Sequence, residues 1–143
     1  MNLTNMIIDL FPETIILLSG ENHHKNYVRQ LNPDFNHQII NIIGKLSISE
    51  IIYLISRSAL FIGNDSGLFH IAKALDIPRV GIIGGGSFNL IHPYNNITNE
   101  KLIFSPQDCF GCNWNCTKGE PYCLTRVEEA DVLTAVKDLL TVD

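Results

Sequence analysis

The sequence predicts an α/β protein, a parallel sheet with helices on both faces. Three observations carry this. Amphipathic helical segments alternate with short runs that are apolar throughout, as strands buried on both sides are. Ser/Thr-x-x-Glu boxes mark where helices begin. The chain has 143 residues, 45% hydrophobic and 17% charged, which is a globular composition with enough length for a core.

Leu3, Met6, Ile7 and Leu10 recur at the i, i+3, i+4, i+7 spacing of one helix face, and Pro12 ends that helix. Residues 14–19 are a β-branched and leucine run, read as a buried strand that Gly20 closes. Residues 22–31 read as a polar helix broken by Pro33, and residues 39–43 as a second strand. Ser47-Ile48-Ser49-Glu50 is a capping box that opens a helix running to about Arg57. A third strand at 59–62 leads to a helix marked by Leu68, Ile71, Ala72 and Leu75, and a fourth strand follows at 79–83. Residues 101–104 suit a short edge strand. Thr125-Arg126-Val127-Glu128 is a second capping box before a last helix carried by Val132, Leu133, Val136, Leu139 and Leu140.

Composition excludes several functions. Ten Lys+Arg against fifteen Asp+Glu give a net charge of −5, and there is no basic run, so nucleic acid is not an expected partner. No apolar stretch approaches the ~20 residues of a membrane span. No Lys or Arg precedes Lys25 and Asp9 interrupts the first apolar run, so no secretory leader is expected. The expected location is the cytoplasm, free or peripheral at the inner face of the membrane. The pattern opens on a helix with no strand before it. The expectation is therefore one domain over residues 1–143, incomplete, forming the later part of a larger fold.

Two turns have the composition of ligand sites, since open α/β sheets bind beyond the carboxyl ends of their strands. The first is Gly63-Asn64-Asp65-Ser66-Gly67, between the third strand and its helix. With Asp65 as the N-cap, the N–H groups of Ser66, Gly67 and Leu68 are unpaired and suit an anion, above all a phosphate. Gly67 permits close approach, Ser66 adds a hydroxyl, and His70 lies one turn on. The turn by itself also fits an ordinary helix cap beside a surface histidine. The second is Gly84-Gly85-Gly86, after the fourth strand and before His92-Pro93-Tyr94. It is either a close-approach loop or a flexible crossover.

The run from Ala59 to Gly84 resembles the family-9 glycosyltransferases, the heptosyltransferase family of lipopolysaccharide core assembly. Asp65, Ser66, Gly67, His70, Ala72, Ala74, Leu75 and Pro78 fit its D-[ST]-G-x-x-H-[IL]-A-x-A-L-x-x-P signature. Pro93-Tyr94, the cysteine-rich loop and the last helix are similar too, so the likeness covers about residues 14–140. It implies the Rossmann-like, nucleotide-sugar-binding C-terminal half of a GT-B enzyme. Such enzymes move a sugar from a nucleotide diphosphate sugar to a glycan or lipid-linked acceptor, with inversion and without a metal or other cofactor. It implies that Asp65, Ser66, Gly67, Leu68 and His70 hold the donor diphosphate. Glu21 and Ser47 would meet the ribose and base, and Gly84 and Gly85 the donor sugar. The general base belongs to an N-terminal domain, so no catalytic residue is assigned here. The partners implied are that missing domain or, through an unpaired sheet edge, a second copy of the chain. The alternative is a non-catalytic nucleotide-binding remnant, or an interaction module stapled by zinc.

Cys109, Cys112, Cys116 and Cys123 fall within fifteen residues. This local cluster is not the spread of a disulfide-stapled secreted fold. Free or bridged structural thiols, a zinc site and an iron–sulfur cluster all remain open, and no metal ligand is assigned.

Overall fold

A computed structural model describes residues 3–30, 37–88, 91–92 and 98–141. The chain divides into two compact units, residues 1–54 and 55–143.

The first unit contains α1 (Leu3–Leu10), β1 (Ile16–Leu18), a 3-10 turn (Asn22–His24), α2 (Lys25–Gln30), β2 (Ile39–Asn41) and most of α3 (Ile48–Ser56). β1 and β2 pair in parallel, Ile16 opposite Ile39 and Leu18 opposite Asn41. Beyond them the Gly44 N–H donates to the Gly20 carbonyl at 3.0 Å, so the loops after both strands leave from one end of the ladder. Gly44 has φ +61, and a Cβ there would run into the Asn22 side chain, so only glycine fits. Ile7, Ile39 and Ile43 are buried. The first capping box forms: the Ser47 N–H and Oγ donate to the Glu50 carboxylate at 2.7 and 2.6 Å. Those two bonds hold the Glu50 carboxyl below its ordinary pKa.

The second unit contains β3 (Phe61–Asn64), α4 (Gly67–Ala74), β4 (Arg79–Ile82), β5 (Glu100–Ile103), α5 (Tyr122–Thr125) and α6 (Glu129–Leu140). Its sheet order is β3-β4-β5, parallel throughout. Arg79, Val80 and Gly81 of the central strand are all buried. Successive strand residues face opposite sides, so both faces of β4 are covered. α4 packs against β3 and β4, and α6 against β4 and β5. The core includes Phe69, Ala72, Val80, Ile83, Val132 and Val136.

α4 stops on a Schellman turn. The Ile77 N–H reaches the Ala72 carbonyl and the Asp76 N–H that of Lys73, both at 3.0 Å. Asp76 takes the left-handed position at φ 56, and Asn99 Nδ2 donates to its carbonyl and its carboxylate. Pro78 then prevents the helix from resuming.

Every ladder among the described residues is parallel, as the apolar runs predict. Three details differ from the sequence reading. Among the described residues the strands form two sheets, one of two strands and one of three, instead of a single sheet through all four main runs. β1 keeps only three residues of the predicted run, and β3 starts two residues later and ends at Asn64. The second capping box does not form, because Thr125 closes α5, donating its N–H to the Pro121 carbonyl at 3.0 Å. Glu128 is the N-cap of α6 and makes no side-chain cap bond. Pro33 and Pro93-Tyr94 lie outside the described residues.

The Arg79–Glu100 pair joins β4 to β5 inside the unit. Arg79 Nε donates to Glu100 at 2.7 Å with the side chains 1% and 4% exposed, and Arg79 Nη1 donates to the Ile77 carbonyl. Removing one partner strands a buried charge, so Glu100→Ala should destabilise the second unit by about 3–5 kcal/mol. The double change Arg79→Met, Glu100→Leu should recover most of that loss. Urea unfolding of the three chains checks both outcomes.

Candidate functional site

The site is built around the end of β3. Asn64 is the last strand residue, Ser66 is the N-cap of α4, and Asp65 stands between them. Asp65 is therefore not the N-cap. Its carboxylate turns into the unit, where three side chains meet it. Ser87 Oγ donates to Oδ2 at 2.8 Å. His70 Nε2 and His92 Nε2 each lie 3.1 Å from Oδ1. The two imidazoles stand nearly parallel, 13° apart with centroids 6.0 Å apart, and the Phe69 ring meets each of them. His92 is wholly buried and the Asp65 side chain is 12% exposed, whereas His70 is 40% exposed.

Burial pushes the Asp65 carboxyl up. The Ser87 hydroxyl, the His92 hydrogen bond and the charges of His92 and His70 outweigh it, leaving the group below the ordinary Asp value.

Because Ser66 holds the N-cap position, the donors of the first turn belong to Gly67, Leu68 and Phe69, one residue later than an Asp65 cap would place them. The Ser66 hydroxyl makes no cap bond and is exposed. The His70 N–H is the first to close a helical bond, to the Ser66 carbonyl at 3.2 Å. Gly67 is exposed, and a Cβ placed on it would meet nothing within 4 Å. The site thus has an open side, with Ser66, Gly67 and the edge of His70, and a closed side, with Asp65, Ser87 and His92. The open side can receive an anion at the positive end of a helix. The closed side fixes the His70 ring.

The donor atoms of Asp65, His70 and His92 all lie within 4.8 Å of one another. Two imidazoles and a carboxylate are a possible donor set for a divalent transition metal. The same side chains also hold the carboxylate without an ion: Ser87 Oγ donates to Oδ2, and the two imidazoles stand 3.1 Å from Oδ1.

The glycine turn after β4 has a different surrounding. Gly84, Gly85 and Gly86 are buried. A Cβ on Gly85 would fall 2.6 Å from Phe110 Cδ1, one on Gly86 would fall 2.5 Å from Trp114 Cδ2, and one on Gly84 would also strike Trp114. The Gly111 N–H donates to the Gly85 carbonyl at 2.8 Å. Rings from the cysteine-rich loop therefore demand the glycines, a reason the sequence reading did not contain.

Glu21 and Ser47 lie in the first unit. Glu21 follows the end of β1, is 83% exposed, and has His23 Nδ1 at 3.5 Å. The Ser47 hydroxyl is engaged by Glu50.

Ser87 and His92 are the site residues that sequence reasoning missed. A serine after three glycines and a histidine before a proline carry no spacing that ties them to Asp65, and only the fold brings them together.

The sequence model of glycosyltransferase family 9 (heptosyltransferase) matches residues 6–116. A lipopolysaccharide heptosyltransferase 1 from Campylobacter coli is 33% identical over 96% of this chain and 40% of its own length. A lipooligosaccharide heptosyltransferase 2 from Campylobacter jejuni is 29% identical over 81% of this chain and 37% of its own. Among solved structures, ADP-heptose lipopolysaccharide heptosyltransferase II of Escherichia coli superposes with a TM-score of 0.75 at 22% identity, covering 96% of this chain and 39% of that one. A family-9 glycosyl transferase from Veillonella parvula gives 0.71 at 20% identity, covering 96% and 40%. The chain thus spans about two-fifths of the length of these relatives. Among the described residues no helix is long and apolar enough to cross a membrane.

With the Asp65 carboxyl below its ordinary value, its contribution to stability is present above about pH 4 and is lost as pH falls through the lowered value. Ser87→Ala removes the hydroxyl bond. It should raise the Asp65 pKa and move acid unfolding to higher pH, both readable by NMR titration and an acid melt.

Proposed function

The chain belongs to glycosyltransferase family 9, and on that footing we propose that its second unit binds the diphosphate of a nucleotide sugar at the start of α4. A sugar would leave that diphosphate for a glycan or lipid-linked acceptor. The observation that carries this is Gly67. It has no left-handed backbone to accommodate, and no atom of the described residues stands within 4 Å of where its Cβ would be. The described residues do not require glycine there, and we read the missing side chain as room left for the diphosphate.

The proposed chemistry follows from the two sides of the site. The N–H groups of Gly67 and Leu68 and the hydroxyl of Ser66 point a set of donors at one anion. As the bond to the sugar breaks, negative charge grows on the leaving diphosphate, and donors fixed in advance stabilise it more than they stabilise the ground state. His70 adds an imidazole whose orientation Asp65 sets. Asp65 acts through His70 and the turn, because its two oxygens are occupied by Ser87, His70 and His92. Gly84 and Gly85 lie under Phe110 and Trp114, so any contact with the donor sugar there would come from backbone groups. Ser47 would have to release Glu50 to meet a base, while the Glu21 carboxylate is exposed and suited to vicinal hydroxyls. The acceptor and the general base are assigned to parts of the family's length that this chain does not match, and the work of the protein to the cytoplasmic assembly of surface glycans.

Gly67→Val should weaken the binding of a nucleoside diphosphate by about tenfold or more, because every 1.4 kcal/mol is tenfold and a branched side chain blocks the donors. The open space at Gly67 means that the melting temperature should stay nearly unchanged. Calorimetry with ADP on both chains is the check, and equal affinities would reduce the turn to a helix cap.

A further inference from the structure

We propose that Cys109, Cys112, Cys116 and Cys123 form a zinc site that fastens the loop between β5 and α6. All four thiols are free. All four line one cavity of about 30 Å³, together with Trp114 and Lys118. That space exceeds the roughly 10–15 Å³ that one water molecule needs, so it has room for one ion. Four soft sulfur donors facing a space of this size match the ligand preference of zinc in structural sites.

The backbone between the cysteines gives independent support. Gly111 and Gly119 have φ +82 and +75, and two consecutive non-glycine residues, Asn113 and Trp114, have φ 48 and 62. Left-handed backbone costs an ordinary residue about 1–2 kcal/mol. It persists where the surroundings over-determine it. The stretch from Ser105 to Pro121 contains no helix or strand. Phe110, Trp114 and the Gly111 N–H already hold the stretch against the glycine turn, and a cross-link through its cysteines would add a second constraint.

The sulfurs ring the cavity without being drawn into one tight cluster of the kind that Asp65, His70 and His92 form. Zinc binding is therefore coupled to contraction of the loop. Each thiol gives a proton to the buffer as its sulfur bonds the metal. One Zn²⁺ releases four protons, and the centre carries two net negative charges. Lys118, on the wall of the same cavity, offsets part of that charge while it also holds Asp108 at 2.7 Å. Trp114 is 55% exposed and lines the cavity, so its fluorescence reports the contraction.

The test uses the 143-residue chain purified under reducing conditions without chelator. Metal analysis should find one zinc per chain. Cobalt in its place should give a thiolate-to-metal charge-transfer band, and stripping the zinc should shift the Trp114 emission. Cys116→Ser removes an exposed thiol that takes no part in the core. It should lose the retained zinc while keeping the circular dichroism of the wild type, and Cys109→Ser should do the same. Four thiols that react freely in the folded chain, a disulfide seen by mass, or an iron-based absorption in place of zinc would each overturn the proposal. The readout involves no nucleotide, so it stands or falls apart from the Gly67 test.

Discussion

The carboxylate of Asp65 is the interaction on which the second unit's site depends. One side chain at the end of β3 holds a hydroxyl from the turn after β4, an imidazole from α4 and an imidazole from the segment beyond Phe88. Residues 65, 70, 87 and 92 are thereby fixed to a single pair of oxygens. A carboxylate this enclosed needs partners, and it has the Ser87 hydroxyl on one oxygen and two imidazoles 3.1 Å from the other. The arrangement also decides what is left over. Asp65 turns inward, so Ser66 becomes the N-cap without using its hydroxyl, and Ser66 and Gly67 at the start of α4 are left exposed.

The same two-sidedness governs the charge. Taken alone, Asp65 would repel an anion at the start of α4. The two imidazoles and the Ser87 hydroxyl draw its charge toward the interior, which is also what holds its carboxyl below the ordinary range against the effect of burial. The helix end then presents its partial positive charge with the nearest negative group engaged on its far side. His70 belongs to both sides: its Nε2 is on Asp65 and much of its surface is open.

Much of this was legible in the residues. The apolar runs at 14–19, 39–43, 59–62 and 79–83 predicted parallel strands; a parallel strand lies within three of them and overlaps the end of the run at 59–62. Ser47 and Glu50 predicted a capping box that forms. Local rules succeeded there because the partners are three residues apart. They failed where a long-range contact competed. Thr125 has the spacing of a cap, but α5 takes it first. Asp65 has the chemistry of a cap, but Ser87 lies twenty-two residues away and outcompetes the helix for it. Neither the serine nor His92 announces itself, since no period or spacing links either to β3.

Glycine shows most clearly why composition alone underdetermines a site. Gly67 and Gly84-Gly85-Gly86 follow successive strands of one sheet and looked equivalent as close-approach turns. Their surroundings are opposite. The three later glycines are filled from within, by Phe110 and Trp114 of the cysteine-rich loop, so any side chain there would displace an aromatic ring. Their role is to let that loop lie against the end of β4, and Ser87, next in the chain, is placed by the same packing. Gly67 is met by nothing from the described residues, and it is exposed beside Ser66 and His70. A glycine that the fold requires speaks of packing. A glycine with open space around it, at the positive end of a helix and beside an oriented imidazole, is the feature on which the proposed diphosphate site rests.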